Sequence, residues 1–218
     1  MSAPTNAELL ALLDRLETVT ADDLETLWLE FKPWGDPKEC MRVGAEYAIC
    51  MANTEGGTIV FGVADRTRGR AAAIHGAEGY ILDTCRRGIY DSTTPNLVVQ
   101  IEELSVPEGT GRLLVVRVPK GADPPYGTSQ GVFRRRVGKN CMPMDSQAFA
   151  RARVSSGAWD WSGQVAEEVT LAELDPVERA RARGILKRTT GSSELRDLDD
   201  REFLASLGAL RAGRVTNA

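Results

Sequence analysis

Histidine is nearly absent from the 218 residues, since His75 is the only one. A catalytic arrangement built on a histidine base would therefore have to use this residue, which we interpret as structural. The four cysteines stand far apart, at positions 40, 50, 85 and 141, and form no CxxC pair. This pattern excludes a disulfide-rich secreted scaffold and argues against a zinc site, so we expect four buried thiols.

Long apolar runs are also missing. No stretch reaches the roughly 20 consecutive apolar residues of a membrane-spanning helix, and the first 18 residues lack the basic-then-apolar pattern of a secretory signal. Apolar residues make up 42% of the chain and charged residues 27%, as in globular proteins with one main core. The sequence therefore predicts a cytoplasmic protein with no membrane partner.

The charges are unevenly distributed along the chain. The formal net charge of −4 does not by itself favour a nucleic-acid partner. However, residues 1–55 carry 4 basic and 11 acidic side chains, whereas residues 56–156 carry 14 basic and 9 acidic ones. Residues 157–218 carry 9 basic and 11 acidic side chains. A basic middle section between acidic ones is compatible with a local surface for a polyanion.

Apolar periodicity predicts an α+β fold, with a mixed sheet flanked by helices. Helices and strands follow one another without the regular alternation of a doubly wound sheet. Helices are predicted over 6–18, 37–52, 77–91 and 145–155, and strands over 28–32, 58–63, 97–104, 112–118 and 131–137. Beyond residue 157 we predict two helices, 170–188 and 198–211, and no strand. The expected organisation is an N-terminal helix (1–21), a central domain (22–157) and a helical connector (158–218) that leads to a further region.

The segment ETLWLEFK, residues 25–32, holds the main candidates for chemistry. Glu30 and Lys32 are two residues apart, so on a strand they project from one face. A carboxylate that holds a divalent cation beside a lysine that stabilises charge on a phosphate suits phosphodiester cleavage. Glu25 precedes the strand and Asp65 follows the next buried strand, and both could complete a hard-oxygen site for Mg²⁺ or Mn²⁺. In the plainer interpretation, which spacing alone favours, these are solvated surface charges.

The segment GVFRRRVGKN, residues 131–140, places three arginines on a predicted strand. Arg134 and Arg136 share one face, Arg135 points to the other, and Lys139 lies in the next turn. These side chains form either a solvated charged face or a surface for a sugar–phosphate backbone. The further basic residues of that candidate surface lie in the loop after the buried strand: Arg66, Arg68 and Arg70.

The segment ANTEGG, residues 52–57, connects a predicted helix to a buried strand. Its glycines permit a tight helix-to-strand turn, which is the simpler interpretation. A loop that approaches a phosphate is the alternative, and it would make the chain a nucleotide-binding sensor. The sequence contains neither the P-loop pattern GxxxxGK[ST] nor GxGxxG.

In order, these blocks resemble the AlbA_2 domain of the Schlafen family over residues 22–145. They are the LEFK strand, ANTxGG, FGVxD, a proline–tyrosine turn and VFRRRVGKN. The resemblance implies a nucleic-acid-binding domain, and some family members are metal-dependent endonucleases that cut structured RNA, including tRNA. Their site uses two glutamates five residues apart, an aspartate after the GV strand, and a lysine. In this sequence Glu25, Glu30, Asp65 and Lys32 stand in those positions.

The sequence also departs from the family pattern. Ala64 replaces an acidic residue often found beside the aspartate, and the zinc motif of the animal members has no counterpart, so no zinc is predicted. Animal members carry two copies of the fold, which by analogy implies a homodimer for this single copy.

Two functional hypotheses follow from the resemblance and from the residues. The favoured one is an endoribonuclease that acts on structured RNA such as tRNA and uses Mg²⁺ or Mn²⁺. The other is a non-catalytic DNA- or RNA-binding module of a transcriptional regulator with an ATPase-like C-terminal region; the sequence makes no prediction about ATP. In the first hypothesis Glu25, Glu30 and Asp65 hold the metal, Lys32 assists catalysis, and the backbone contacts come from Arg66, Arg68, Arg134, Arg136 and Lys139.

Overall fold

The computed structural model describes residues 3–155, 162–189 and 198–217. The chain forms two compact units, Met1–Ser156 and Gly157–Ala218. The first unit is built on a mixed four-stranded sheet with helices against it, which confirms the predicted α+β class. The domain boundary predicted at residue 157 falls among residues 156–161, outside the described residues. No helix in the described ranges is long and apolar enough to cross a membrane.

The central sheet has the strand order β1-β2-β5-β4. β1 runs parallel to β2, whereas the β2–β5 and β5–β4 pairs are antiparallel. The parallel pair needs a crossover, which the helix α3 (Pro37–Ala52) supplies. The bounds of the four strands are Leu29–Lys32 (β1), Gly57–Phe61 (β2), Gln100–Ser105 (β4) and Arg112–Val118 (β5).

Both faces of this sheet are covered, which explains why β2 is buried along its whole length. One apolar cluster joins the sheet to α3 and α5 (Leu82–Asp91), with Ile49, Ile59 and Ile89 fully buried. The other cluster joins the opposite face to the N-terminal helices, where Leu9 and Leu13 are fully buried.

The N-terminal helices begin at threonine caps. α1 (Asn6–Asp14) starts after Thr5 and α2 (Ala21–Leu24) starts after Thr20. Each threonine hydroxyl accepts a hydrogen bond from the backbone three residues on, and an acidic side chain accepts one from the threonine backbone in return. α1 and the 3-10 turn Arg15–Glu17 that follows it cover the predicted helix 6–18.

The remaining elements of the first unit are short. The predicted helix 77–91 begins only at Leu82, after Gly76 and Gly79, which both have positive φ. β7 and β8 form a hairpin, of which only the first strand was predicted. The elements are α4 (Arg70–Ala73), β3 (Thr93–Thr94), β6 (Gly127–Thr128), β7 (Arg134–Val137), β8 (Asn140–Pro143) and α6 (Ser146–Ser155).

Cys50 and Cys141 form a disulfide bond, so the prediction of four thiols is wrong for this pair. The β7–β8 hairpin packs against α3 and brings the two Cα atoms to 5.9 Å, although the residues are 91 positions apart. Such a pairing is not readable from spacing. Cys40 and Cys85 are free and buried, as predicted.

The second unit contains strands that the sequence did not predict. The predicted helix 198–211 ends early, as α8 (Asp200–Ser206), and a two-stranded hairpin follows, with β9 (Leu210–Arg211) and β10 (Arg214–Val215). Ala212 and Gly213 both have positive φ, which permits a two-residue turn. Before α8, the unit has a 3-10 turn at Leu171–Glu173 and α7 at Pro176–Thr189.

Candidate functional site

The ammonium of Lys32 lies among three carboxylates at the end of β1. Its Nζ is 2.5 Å from Glu30 Oε1, 3.8 Å from Glu25 Oε1 and 3.7 Å from Asp65 Oδ2. The structure therefore brings together the four residues that the sequence nominated for catalysis. We call these four residues the carboxylate–lysine cluster.

Two loops carry the outer members of this cluster. Glu25 directly follows α2, and its Oε1 accepts a hydrogen bond from the backbone N–H of Phe31 at 3.1 Å. Asp65 follows the buried strand β2, and its backbone carbonyl accepts a hydrogen bond from the N–H of Asp22 at 2.9 Å. The start of α2 and the loop after β2 are thus joined beside the cluster.

Arg136 holds Glu30 from the side opposite Lys32. Its Nη1 lies 2.6 Å from Glu30 Oε2, and its Nη2 donates to the carbonyls of Thr26 at 2.8 Å and Leu29 at 3.0 Å. The Arg136 side chain has no solvent exposure. The guanidinium of Arg136 therefore points into the protein, toward Glu30, and not to the surface on which the sequence predicted a contact with a nucleic-acid backbone.

Solvent reaches the cluster at Asp65, whose side chain is 41% exposed, whereas those of Glu25 and Glu30 are 7% and 3% exposed. Burial, together with the charge of Glu30, raises the pKa of Glu25 to about 7. Burial also raises the pKa of Asp65, although Lys32 opposes this shift. For Lys32, burial acts to lower the pKa, but the charge and hydrogen bond of Glu30 and the charge of Glu25 together outweigh it, so the pKa is raised.

Tyr47 is a neighbour of the cluster that the sequence did not single out. It lies on α3, and Lys32 Nζ is 4.7 Å from the centre of its ring, within the range of a cation–π contact. Burial, then the charge of Glu30, raises the pKa of Tyr47. Tyr47 is a partly buried aromatic residue that packs against the apolar cluster of α3 and α5, so no local signal in the sequence marks it as a site residue.

The raised pKa of Glu25 predicts that Glu25→Gln stabilises the protein at pH 8. The folded state keeps the Glu25 proton up to about pH 7, whereas the unfolded chain loses it near 4.5, so stability falls as the pH rises through this window. A glutamine can still accept the Phe31 hydrogen bond. We expect the free energy of unfolding to increase by about 1–2 kcal/mol at pH 8.

Urea unfolding in metal-free buffer at pH 8 and pH 4.5 measures this effect. The gain should shrink at pH 4.5, where the folded state holds the Glu25 proton and the unfolded chain is already half protonated at this residue. Glu55→Gln is the control, because Glu55 is a half-exposed partner of Lys120 and should change stability by less than about 0.5 kcal/mol. An equal gain at both pH values would show that charge at Glu25 is not the cause.

The cluster has the oxygen donors that a hard divalent cation prefers, but these oxygens are not arranged around a common point at metal–ligand distances. Among the described residues, no three His, Cys, Asp or Glu side chains are arranged to hold a metal ion. The ammonium of Lys32 occupies the point on which the carboxylates converge, and ligand distances of about 2.0–2.6 Å would require it to leave. Asp65 Oδ1 is a buried oxygen without a hydrogen-bond partner, so it is a donor atom that a cation could use.

The residues predicted to bind a nucleic-acid backbone differ in their exposure and in their acidic partners. Arg66 and Arg68 are exposed on the loop after β2. Lys139 binds Asp22, through its carboxylate and its carbonyl at 2.8 Å each. Arg134 Nη2 lies 4.0 Å from Glu46 Oε2. Arg70, a further residue of the predicted surface, is paired with Glu108 at 2.6 Å and with Asp14.

The two glycines of the ANTEGG segment form a tight turn. Gly56 has φ +74°, and a side chain there would meet the backbone of Val118 and Lys120 within 2.7 Å. A side chain at Gly57 would meet the backbone carbonyl of Trp28 at 2.9 Å. The space beside these glycines is filled by the protein's own chain, which favours the turn interpretation over a phosphate-binding loop. His75 binds the carbonyl of Ala72 at 2.9 Å, consistent with a structural role.

A comparison with family models shows the family of this chain. The family model described as Schlafen, AlbA_2 matches residues 25–145, which is more than half of the chain. The DIP2311 protein from Corynebacterium diphtheriae is 23% identical, with a TM-score of 0.54; the match covers 97% of this chain and 43% of that one. The chain therefore spans less than half the length of this relative.

A second solved structure is more distant. The N-terminal domain of a RecG-related protein from Nitrosomonas europaea is 19% identical, with a TM-score of 0.39 and coverage of 62% of this chain and 87% of that one. No curated protein matches the sequence. The ordered motifs, the α+β fold and the family match together show that this chain belongs to the Schlafen AlbA_2 family.

Proposed function

We propose that this chain binds nucleic acid and cleaves structured RNA at the carboxylate–lysine cluster. Membership of the Schlafen AlbA_2 family supports a nucleic-acid-related function. The observation that carries the cleavage proposal is the convergence of Glu25, Glu30 and Asp65 on Lys32 from three separate segments, at a point that opens to solvent. Ordinary surface charges do not gather in this way, because bringing three carboxylates together, two of them buried, is costly.

The proposed chemistry uses these residues in separate roles. Glu25, Glu30 and Asp65 would hold Mg²⁺ or Mn²⁺, which supplies charge neutralisation and an activated water in phosphodiester hydrolysis. Lys32 would turn from the carboxylates toward an oxygen of the scissile phosphate and stabilise its negative charge. Arg136 would keep Glu30 in place while Lys32 moves, because it binds the other oxygen of that carboxylate.

A non-catalytic nucleic-acid-binding module is the second candidate function. It is favoured by the charge compensation within the cluster, since Lys32 and Arg136 already bind both oxygens of Glu30. In this alternative the cluster stabilises the fold, and the chain binds RNA or DNA without cutting it.

Incubation of the purified chain with end-labelled tRNA tests the proposal. We expect cleavage with Mn²⁺ or Mg²⁺, no cleavage in EDTA, and binding in both conditions, as followed by gel electrophoresis and by fluorescence anisotropy. Duplex DNA of equal length serves as the comparison substrate. Binding without metal-dependent cleavage would support the second candidate and overturn the first.

A further inference from the structure

A basic groove lies in the first unit, on the side of β7 away from the carboxylate–lysine cluster. Its cavity volume is about 360 Å³, and its walls come from the end of α3, the turn after β5, β7 and the start of α6. Because side chains alternate along a strand, Arg135 of β7 points into this groove while Arg136 points to Glu30. We define the basic groove by its three cationic residues, Lys120, Arg135 and Arg151.

The cations of the basic groove are poorly compensated by acidic side chains. Asp145 is the one carboxylate among the described residues that line it, and its Oδ1 accepts the N–H of Ala148 at 2.7 Å. Within the described part of the chain, Arg135 and Arg151 pair with no carboxylate. Lys120 pairs with Glu55 at 3.1 Å, but both side chains are more than half exposed, so the pair is weak.

The helix α6 adds a further positive contribution. Its first turn, with Gln147 and Ala148, forms one wall of the groove, and the N-terminal end of a helix carries partial positive charge. By contrast, Arg136 and Lys139, which share the hairpin with Arg135, are neutralised by Glu30 and Asp22. The cations available to an external anion on this hairpin therefore include Arg135 but not Arg136.

We propose that the basic groove binds the phosphodiester backbone of RNA, with Arg135 and Arg151 each contacting a phosphate. This inference rests on the proposed function and deepens it, because it assigns the RNA contact to a surface apart from the cluster. Guanidinium groups suit phosphate oxygens because they donate two parallel hydrogen bonds. Apart from Pro124 and Met144, the neutral lining of the groove is small or polar, which fits a backbone contact rather than base readout.

Anisotropy titrations of labelled tRNA in EDTA test the groove across a range of salt concentrations. We expect Arg135→Ala and Arg151→Ala each to weaken binding about fivefold, and the double variant about 10- to 30-fold. The slope of log K against log salt concentration should fall by about 1.5 in the double variant. Arg87→Ala is the matched control, because Arg87 is an exposed arginine of α5 paired with Asp91.

The outcomes distinguish a failure of the groove assignment from a failure of the proposed function. If the wild-type chain binds RNA and the double variant binds equally with an unchanged salt slope, the groove assignment is overturned while the proposed function stands. If the wild-type chain binds neither RNA nor DNA, the groove assignment and the proposed function both fail.

Inorganic phosphate and AMP are added as competitors in the same titrations. Displacement of RNA by micromolar AMP would identify a mononucleotide site and overturn the backbone assignment. Circular dichroism checks that every variant is folded.

Discussion

Replacement of Arg136 by methionine is expected to lower the free energy of unfolding by about 3–5 kcal/mol. The change removes one of the two cations that bind the buried carboxylate of Glu30. It also removes the donor to the carbonyls of Thr26 and Leu29, which fix the loop that leads into β1. Methionine keeps much of the side-chain volume, so the loss reports mainly on the polar contacts.

Urea unfolding at pH 7, followed by far-ultraviolet circular dichroism, measures this loss. Arg135→Met is the matched control, because Arg135 is the neighbouring exposed residue of the same strand; we expect it to change stability by less than about 0.5 kcal/mol. A loss of equal size in both variants would contradict the proposed role of Arg136. Because Arg136 and Glu30 are in contact, adding Glu30→Gln to Arg136→Met should recover part of the loss.

Local patterns in the sequence were sufficient to place strands of the sheet, whereas the cluster was identified through the family resemblance. The helix over residues 37–52 and the strand over 112–118 have the predicted bounds, because a proline start, helical periodicity and a continuous apolar run specify them locally. The family resemblance then identified Glu25, Glu30, Lys32 and Asp65 as a group, and the fold does bring them together.

Local sequence patterns did not predict the contacts between segments that are distant in the chain. The strand period correctly separated Arg135 from Arg134 and Arg136, but it does not say which face is buried. That choice depends on the packing of the β7–β8 hairpin against α3, which also joins Cys50 to Cys141. As a result, Arg136 was predicted on the surface and is internal. The exposed Arg135 was not among the residues predicted to make the backbone contacts. The short hairpin after α8 was missed because its strands have only two residues each.

Asp65→Asn should lower metal-dependent RNA cleavage by at least about 100-fold while leaving RNA binding within about twofold. Asp65 is the most exposed carboxylate of the cluster, and its Oδ1 has no hydrogen-bond partner, so loss of its charge should disturb the fold least. Asparagine has nearly the same size as aspartate but carries no charge. The variant therefore separates a role in the reaction from a role in stability.

Single-turnover cleavage of labelled tRNA with Mn²⁺ gives the rate, and thermal unfolding verifies the fold. Asp91→Asn is the control, since Asp91 is an exposed aspartate on α5 and lies 3.4 Å from Arg87. A contaminating nuclease would leave all rates equal, and so would a site elsewhere on the chain. If Asp65→Asn cleaves as fast as the wild type, the carboxylate–lysine cluster is not where RNA is cut. The cluster and Arg136 would then serve to hold β1, α2 and the β7–β8 hairpin together.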